Sequence, residues 1–159
     1  MMLSLFGLRA AAATLDIGAA IPAVVAPTDS GSPFAFAENG KTGYLLVYFY
    51  PKADTPGCTA QGCSLRDAYA DLTEKGVKVV GVSTDSVAAQ LAFREKYRFP
   101  FPLVADTEKT VAAAFGVPTT MGFAARQAFL FKDGKLVWRD AKASTAKQAA
   151  DVLEFLKAP

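Results

Sequence analysis

The two cysteines of this chain, Cys58 and Cys63, lie close together in the stretch YFYPKADTPGCTAQGC, residues 48–63. Thiols act as nucleophiles, redox centres or metal ligands, and the chain contains no histidine to assist them. The lack of histidine excludes Ser-His-Asp and Cys-His catalysis, and it leaves too few ligands for a usual zinc site. We therefore predict thiol redox chemistry, with no metal and no cofactor.

Cys58 follows the apolar run YLLVYFY, residues 44–50, and a Thr-Pro-Gly turn, and we expect it in the first turn of a helix. The carboxyl ends of parallel strands are where α/β proteins bind ligands. The partial positive charge and unpaired N–H groups of a helix N-terminus stabilise a thiolate, as does a nearby guanidinium. The fixed φ of Pro56, the small Gly57 and the Thr55 hydroxyl suit a shaped pocket. These features favour a reactive thiol over a small buried core residue.

The spacing of the two cysteines limits how they can pair. Five residues along an intact helix separate two Cα atoms by about 8.7 Å. A disulfide requires a Cα separation of roughly 4.4–6.8 Å. Either the two sulfurs never bond or the helix unwinds first, which Gly62, a weak helix former, would ease. We favour the hypothesis that Cys58 reacts in the folded protein and Cys63 pairs with it after local unfolding; the alternative is a spectator Cys63.

The elements that must position these residues alternate between strands and helices. We predict strands at 44–50, 77–84 and 100–106, a hairpin at 127–140, and helices at 59–75, 85–97, 106–115 and 144–158, with Asp85 or Ser86 and Asp106 or Thr107 as possible helix starts. In the second of these helices, Leu91 and Phe93 are expected to face inward. Strand–helix alternation followed by a hairpin predicts an α/β domain with a mixed sheet.

Length and charge bound the remaining possibilities. The 159 residues fit one domain, which we place at 15–159 after an N-terminal extension at 1–14. The net charge of +2 and the lack of a basic, aromatic-rich cluster argue against nucleic-acid binding. No apolar run reaches the length of about 18–20 residues that spans a bilayer. Arg9 follows rather than precedes the first apolar segment, so we predict a cytoplasmic protein, with periplasmic export as the alternative.

The segment YFYPKADTPGCTAQGCSLRD, residues 48–67, resembles the active-site segment of peroxiredoxins of the bacterioferritin-comigratory, or Q-type, subfamily. The resemblance continues through residues 77–117 and 126–138 and covers about residues 15–157. Its specific marks are the P-x-x-x-T-P-x-C pattern and a second cysteine five residues later. It implies a thioredoxin-like fold, with a central mixed β-sheet flanked by helices.

The resemblance implies a thiol-dependent peroxidase that reduces hydrogen peroxide and organic hydroperoxides. Cys58 matches the peroxidatic cysteine, which becomes a sulfenic acid. Thr55 matches the residue whose hydroxyl holds thiolate and peroxide, and Arg126 matches an arginine that arrives from a distant strand. Pro51 and Pro56 match prolines that shape and shield the pocket, and we expect Gly57 to border the substrate beside them, because a glycine lets backbone approach closely. Arg126 and helix N–H groups can also meet the charge that grows on the leaving oxygen.

Cys63 matches the resolving cysteine of the same subunit. The resemblance implies an intrachain disulfide that thioredoxin or a glutaredoxin-like reductant recycles, in a monomer or weak dimer. The chain departs from the usual pattern at Ala128, where a threonine is common, and at Ala60-Gln61, where an acidic residue is common. These departures bear on fine positioning rather than on the reaction.

Two other functions fit a pair of cysteines on this fold. A thioredoxin-like disulfide oxidoreductase would use Cys-x-x-Cys, so the spacing here argues against it. A non-catalytic redox sensor would oxidise at Cys58 without turnover. Catalytic cycling with a reductant separates a peroxidase from both.

Overall fold

The computed structural model describes residues 14–158. The predicted N-terminal extension at 1–14 therefore lies outside the described residues, apart from its last one. The described elements, in chain order, are β1 (Val25–Pro27), β2 (Pro33–Ala35), α1 (Phe36–Asn39), β3 (Tyr44–Phe49), α2 (Pro56–Asp67), α3 (Tyr69–Glu74), β4 (Val77–Ser83), α4 (Val87–Tyr97), β5 (Leu103–Ala105), α5 (Thr110–Phe115), β6 (Thr119–Thr120), β7 (Phe123–Ala124), β8 (Gln127–Lys132), β9 (Lys135–Asp140) and α6 (Gln148–Lys157).

Five strands form one mixed sheet in the order β5-β4-β3-β8-β9. Strands β3, β4 and β5 run parallel, whereas β8 and β9 are antiparallel to their neighbours. Strand β3 is central, and Val47 on it pairs with Val80 on one side and Phe129 on the other. Alternate residues of β3 enter separate apolar clusters on the two faces of the sheet. The predicted mixed sheet flanked by helices is confirmed, as is burial of the YLLVYFY run on both faces.

The helix predicted at 59–75 is two helices. Helix α2 begins at Pro56, because proline is tolerated in the first helical turn, where its missing N–H has no partner to lose. It ends before Ala68, and the separate helix α3 follows. Leu65 and Leu72 are both fully buried on either side of this break. The apolar spacing continues across Ala68, so the periodicity alone does not reveal the interruption.

The expectation that Leu91 faces inward is wrong. Its side chain is exposed, whereas the neighbouring Gln90 is fully buried and Phe93 is buried as predicted. The Gln90 amide donates to the Ser83 hydroxyl and to a β5 carbonyl, both at 2.8 Å, and it accepts from the Tyr50 hydroxyl. Because these strand groups satisfy its amide, the polar side chain takes the inward position.

Two helices begin later than the sequence indicates. Helix α5 starts at Thr110 rather than at Asp106 or Thr107. The Asp106 carboxylate nevertheless accepts two N–H groups of its first turn at 3.0 and 2.9 Å, so this residue still satisfies the helix terminus from upstream. Helix α6 starts at Gln148 rather than at 144. The Ser144 hydroxyl instead accepts a backbone N–H in the turn before the helix.

Candidate active site

Cys58 lies in the first turn of α2, just beyond the carboxyl end of the central strand β3. Only 1% of its surface is exposed. The N–H groups and partial positive charge of the helix N-terminus therefore act on a sulfur that is largely shielded from water, where such interactions are stronger.

Arg126 brings a full positive charge to this sulfur. Its Nη2 donates to Cys58 Sγ at 3.4 Å. The sheet explains how a residue so distant in sequence arrives there, because the antiparallel register places Gln127 opposite Phe49, at the end of β3. Arg126 directly precedes Gln127 and so lies beside the loop that leads to α2.

Gly57 is required for the close approach of this guanidinium. A Cβ atom at residue 57 would lie 3.0 Å from Arg126 Nη2 and 3.3 Å from Thr145 Cγ2. Both separations are tighter than ordinary contacts, so a larger residue would push the guanidinium away from the helix terminus. Of the two prolines singled out in the sequence, Pro56 is exposed at the start of α2 and Pro51 is half-buried.

The hydroxyl of Thr55 donates to the Lys52 carbonyl at 2.7 Å. Thr55 is the extended N-cap residue of α2, but its side chain does not cap the helix. With the hydroxyl proton committed to Lys52, the oxygen still has lone pairs for an incoming O–H donor. The position therefore suits a hydrogen-bond acceptor for a substrate better than a donor to the thiolate.

Helix α4 and the turn before it hold the loop that precedes Cys58, through contacts that the sequence did not indicate. Asp54, at a left-handed φ of 57°, accepts from Lys96 Nζ at 2.9 Å and from the Tyr97 hydroxyl at 2.8 Å. The hydrogen bonds from Lys96 and then Tyr97 lower the pKa of Asp54 below its usual value. The N–H of Ala53 donates to an Asp85 carboxylate oxygen at 2.8 Å. The loop before Cys58 is thus held in place by residues that lie outside the cysteine-containing segment.

Tyr48 lies beneath the two cysteines, on the face of β3 that α2 covers. It is fully buried in the apolar cluster that contains Cys58 and against which Cys63 packs. Among residues 14–158 its hydroxyl has no hydrogen-bond partner. Burial, and then negative charge on Cys58 and on Cys63, raise the pKa of Tyr48 far above its ordinary value, while Arg126 opposes them. The phenol is therefore a neutral, unpaired donor.

A buried glutamine pair extends the contacts of Arg126. Arg126 Nη1 donates to Gln61 Oε1 at 2.6 Å, and Gln61 Nε2 donates to Gln148 Oε1 at 2.8 Å. Both glutamines are fully buried. In the sequence, Gln61 is distinctive only because it stands where an acidic residue is common. Its position one helical turn after Cys58 was the available signal, whereas nothing marked Gln148.

Cys63 is half-buried on the same uninterrupted helix as Cys58, and both thiols are free. On such a helix the two Cα atoms are separated by about 8.7 Å, which exceeds the disulfide range. Gly62 is buried between Gln61 and Cys63, and a Cβ there would lie 2.5 Å from Phe99 Cζ. This glycine therefore permits a close contact with an aromatic ring, besides being a weak helix former.

Metal-ligating side chains do not converge in the described part of the chain. Across residues 14–158 no cluster of three or more cysteine, aspartate or glutamate side chains could hold a metal ion. The groups that surround the Cys58 sulfur are hydrogen-bond donors and apolar side chains. Such an arrangement can stabilise negative charge on sulfur and on an attacked oxygen.

Comparison with known proteins identifies relatives of this arrangement. Residues 17–139 match the AhpC/TSA family. The peroxiredoxin Bcp of Bacillus subtilis is 32% identical over 152 residues, which cover 91% of this chain and 96% of that protein. Peroxidoxin BcpB from Mycobacterium tuberculosis superposes with a TM-score of 0.83 at 32% identity, over 90% of this chain and 97% of that one.

A second structural neighbour is the bacterioferritin comigratory protein of Xanthomonas campestris, studied for its alkyl peroxide reduction activity. It superposes with a TM-score of 0.81 at 31% identity, and the match covers 91% of this chain and 97% of that chain. Together these similarities confirm the resemblance drawn from residues 48–67 and the thioredoxin-like fold.

Proposed function

This chain belongs to the AhpC/TSA family and is a thiol-dependent peroxidase of the Bcp, or peroxiredoxin Q, type, and we propose that Cys58 is its peroxidatic residue. The observation that carries this assignment is the hydrogen bond from Arg126 Nη2 to a buried Sγ in the first turn of a helix. A guanidinium and a helix N-terminus together favour the thiolate, which is the nucleophilic form.

The first step is attack of the Cys58 thiolate on a peroxide oxygen. A sulfur–oxygen bond forms, the oxygen–oxygen bond breaks, and its electron pair leaves with the second oxygen as alkoxide or hydroxide. A proton then converts this leaving group to alcohol or water, and Cys58 becomes a sulfenic acid. Arg126 and the N–H groups of the first turn of α2 stabilise the negative charge as it moves from sulfur to oxygen. Thr55 accepts the peroxide O–H through a lone pair that its bond to Lys52 leaves free.

In the second step the Cys63 sulfur attacks the sulfenic sulfur. The two sulfurs bond, and the oxygen leaves as water. Because both cysteines lie on one helix, part of α2 must unwind before this attack. A dithiol protein, thioredoxin or a glutaredoxin-like reductant, then returns two electrons by thiol–disulfide exchange.

We infer that hydrogen peroxide and organic hydroperoxides are both substrates. The alkyl peroxide reduction activity studied in the Xanthomonas campestris protein supports the second class. Pro51, Pro56 and Gly57 would border the peroxide, since they flank the loop and helix start that carry Thr55 and the thiol. A comparison of rate constants for hydrogen peroxide and cumene hydroperoxide tests this assignment.

We propose that the enzyme acts in the cytoplasm as a monomer or weak dimer. No helix among the described residues is long and apolar enough to cross a membrane. A resolving cysteine on the same helix as the peroxidatic one makes the cycle possible within a single chain. The reducing cytoplasm would keep both thiols reduced between encounters with peroxide.

The decisive experiment follows each sulfur by mass after peroxide is added to the reduced protein. The wild-type chain should lose two hydrogens. Cys63→Ser should instead gain one oxygen and stop, and Cys58→Ser should consume peroxide no faster than free cysteine. Wild-type activity in Cys58→Ser would overturn the assignment of the peroxidatic residue. Oxidation without reductant-driven turnover in the wild type would favour a redox sensor.

A further inference from the structure

The N-terminus of α6 contacts α2 on both sides of Cys63. Before the cysteine, Gln148 Oε1 accepts from Gln61 Nε2 at 2.8 Å. After it, the Ala149 N–H donates to Ser64 Oγ at 3.3 Å. The segment of α2 that must unwind for a disulfide is therefore hydrogen-bonded to α6 at two points, and we call these two hydrogen bonds its fastenings.

The bond between the glutamines also fixes the orientation of an amide. Arginine has donors only, so Gln61 must turn its oxygen toward Arg126, which donates to it at 2.6 Å. The amide nitrogen of Gln61 then points the other way and needs an acceptor inside the protein, which Gln148 Oε1 supplies. Gln148 Nε2 is itself buried without a hydrogen-bond partner among the described residues. Fold stability alone gives no reason for a half-satisfied buried amide at this point.

We propose that Gln148 is a positioning residue for both sulfur steps. Through Gln61 it holds Arg126 against the Cys58 sulfur, and it fastens the part of α2 that must unwind before Cys63 can attack. The inference rests on the proposed function, because both effects are defined by the two-step oxidation.

The two roles predict opposite changes in the rates of the two steps when the Gln148 amide is lost. The amide of Gln61 becomes free to turn, Arg126 loses its oriented acceptor, and the first step slows. At the same time α2 loses one of its two fastenings to α6, and disulfide formation accelerates. A residue that only stabilised the fold would produce the second change without the first.

The test uses Gln148→Met, which keeps the length of the side chain and removes its amide. Rapid acid quenching and intact mass separate reduced protein, sulfenic acid and disulfide. We expect the first step to slow about fivefold, as for loss of one hydrogen bond, and disulfide formation to accelerate by a similar factor. The pH–rate profile of the first step should move to higher pH. The charged and titratable groups that act on Cys58 are Arg126, through its hydrogen bond to Sγ, and the neutral Tyr48 beneath it, which Cys63 also approaches; only the placement of Arg126 changes in this variant.

Two further variants separate the roles. Val152→Ala removes buried apolar contact from the same helix without touching the hydrogen bonds to α2, and it should leave the pH–rate profile in place. Ser64→Ala removes the second fastening but not the contact with Gln61, so it should accelerate only disulfide formation. If Gln148→Met does not fold, this variant still tests whether hydrogen bonds from α6 restrain the unwinding of α2, and an unchanged disulfide rate in it would contradict that restraint.

The wild-type chain in the same experiment separates failure of the inference from failure of the proposed function. If the wild type forms neither sulfenic acid nor disulfide, the proposed function fails and the inference falls with it. If the wild type cycles and Gln148→Met shows the same first-step rate and pH profile, the inference alone is overturned. A slower disulfide step in Gln148→Met would likewise contradict it.

Discussion

Replacing Gly62 by alanine should destabilise the protein, although alanine is the better helix former. Gly62 lies inside α2 and is buried. The added Cβ would meet Phe99 Cζ at 2.5 Å and two further ring atoms at 3.0 and 3.1 Å. The ring has little room to yield, since Phe99 is 3% exposed, stacks on Phe101 at 5.4 Å and meets the edge of Phe93 at 5.0 Å between centroids.

Two opposing terms decide the size of this effect. Alanine in place of glycine inside a helix stabilises by about 1 kcal/mol. An extra methyl group forced against a packed aromatic cluster costs about 1–3 kcal/mol. The free energy of unfolding should therefore fall by about 1 kcal/mol, whereas helix propensity alone predicts a rise of similar size.

Urea unfolding of the reduced protein measures this difference. Ala60→Gly is the matched control, because residue 60 is a half-buried position in the same helix and should report propensity alone. If Gly62→Ala instead raised the free energy of unfolding, Phe99 would be free to move and the steric argument would be wrong. The rate of disulfide formation in Gly62→Ala gives a second test. If the added methyl group disrupts the packing of α2, this rate should rise. If the only effect is the higher helix propensity of alanine, the rate should fall.

Three further predictions, made with four substitutions, follow from the structure. Tyr50→Phe leaves a buried amide oxygen without its donor and should cost about 1–3 kcal/mol, whereas Tyr48→Phe removes a hydroxyl with no partner in residues 14–158 and should cost nothing; equal losses in urea unfolding would contradict this. The pKa of Asp54 is lowered by Lys96, so this carboxylate contributes stability above about pH 4 that is lost as the pH falls through its folded pKa. In Asp54→Asn the free energy of unfolding should therefore decrease less as the pH falls below about 4. The same decrease in this variant as in the wild type would refute the contribution of Asp54. Arg126→Lys cannot contact both the sulfur and the glutamine oxygen, so peroxide oxidation should slow about tenfold or more in stopped-flow measurements; a wild-type rate would argue against the two-point contact.

The parts of the fold that the sequence predicts well are those in which neighbouring residues decide the conformation. Strands β3 and β4 are continuous apolar runs, and each ends within one residue of its predicted end. The Lys-Asp-Gly turn of the hairpin is equally local, since Asp133 and Gly134 both adopt positive φ, as a tight two-residue turn requires.

The errors arise where distant partners decide. Apolar periodicity makes Leu91 the expected inward residue of α4, yet Gln90 takes that place because its amide forms hydrogen bonds with Tyr50 and Ser83. A prediction from periodicity places apolar side chains inward and takes no account of a hydrogen-bond partner 40 residues away. The early start predicted for α5 also reflects a side-chain contact that periodicity does not reveal, since Asp106 accepts the N–H groups of residues five and six positions after it.

The site residues also differ in whether neighbouring residues or distant partners reveal them. The turn from Thr55 to Cys58 is a local motif, and its residue types alone indicate a reactive thiol. Arg126, separated from Cys58 by 68 residues, was identified through resemblance to a family rather than by any local pattern. Gln148 has neither kind of signal, because a glutamine near a helix start has no distinguishing context until the fold places it against Gln61.

The two steps of the proposed cycle make opposite demands on α2, and the contacts suggest how one helix meets both. The first step needs the N-terminal turn intact around Cys58, whereas the second needs it open. Arg126 holds that turn through the sulfur, and this hydrogen bond is strong only while the sulfur is charged. A neutral sulfenic acid weakens it, while the fastenings to α6 on either side of Cys63 are unaffected by the change of charge. Oxidation therefore loosens the end of α2 that carries Cys58 first, so unwinding begins at this end, and the two hydrogen bonds to α6 then limit how readily it extends to Cys63.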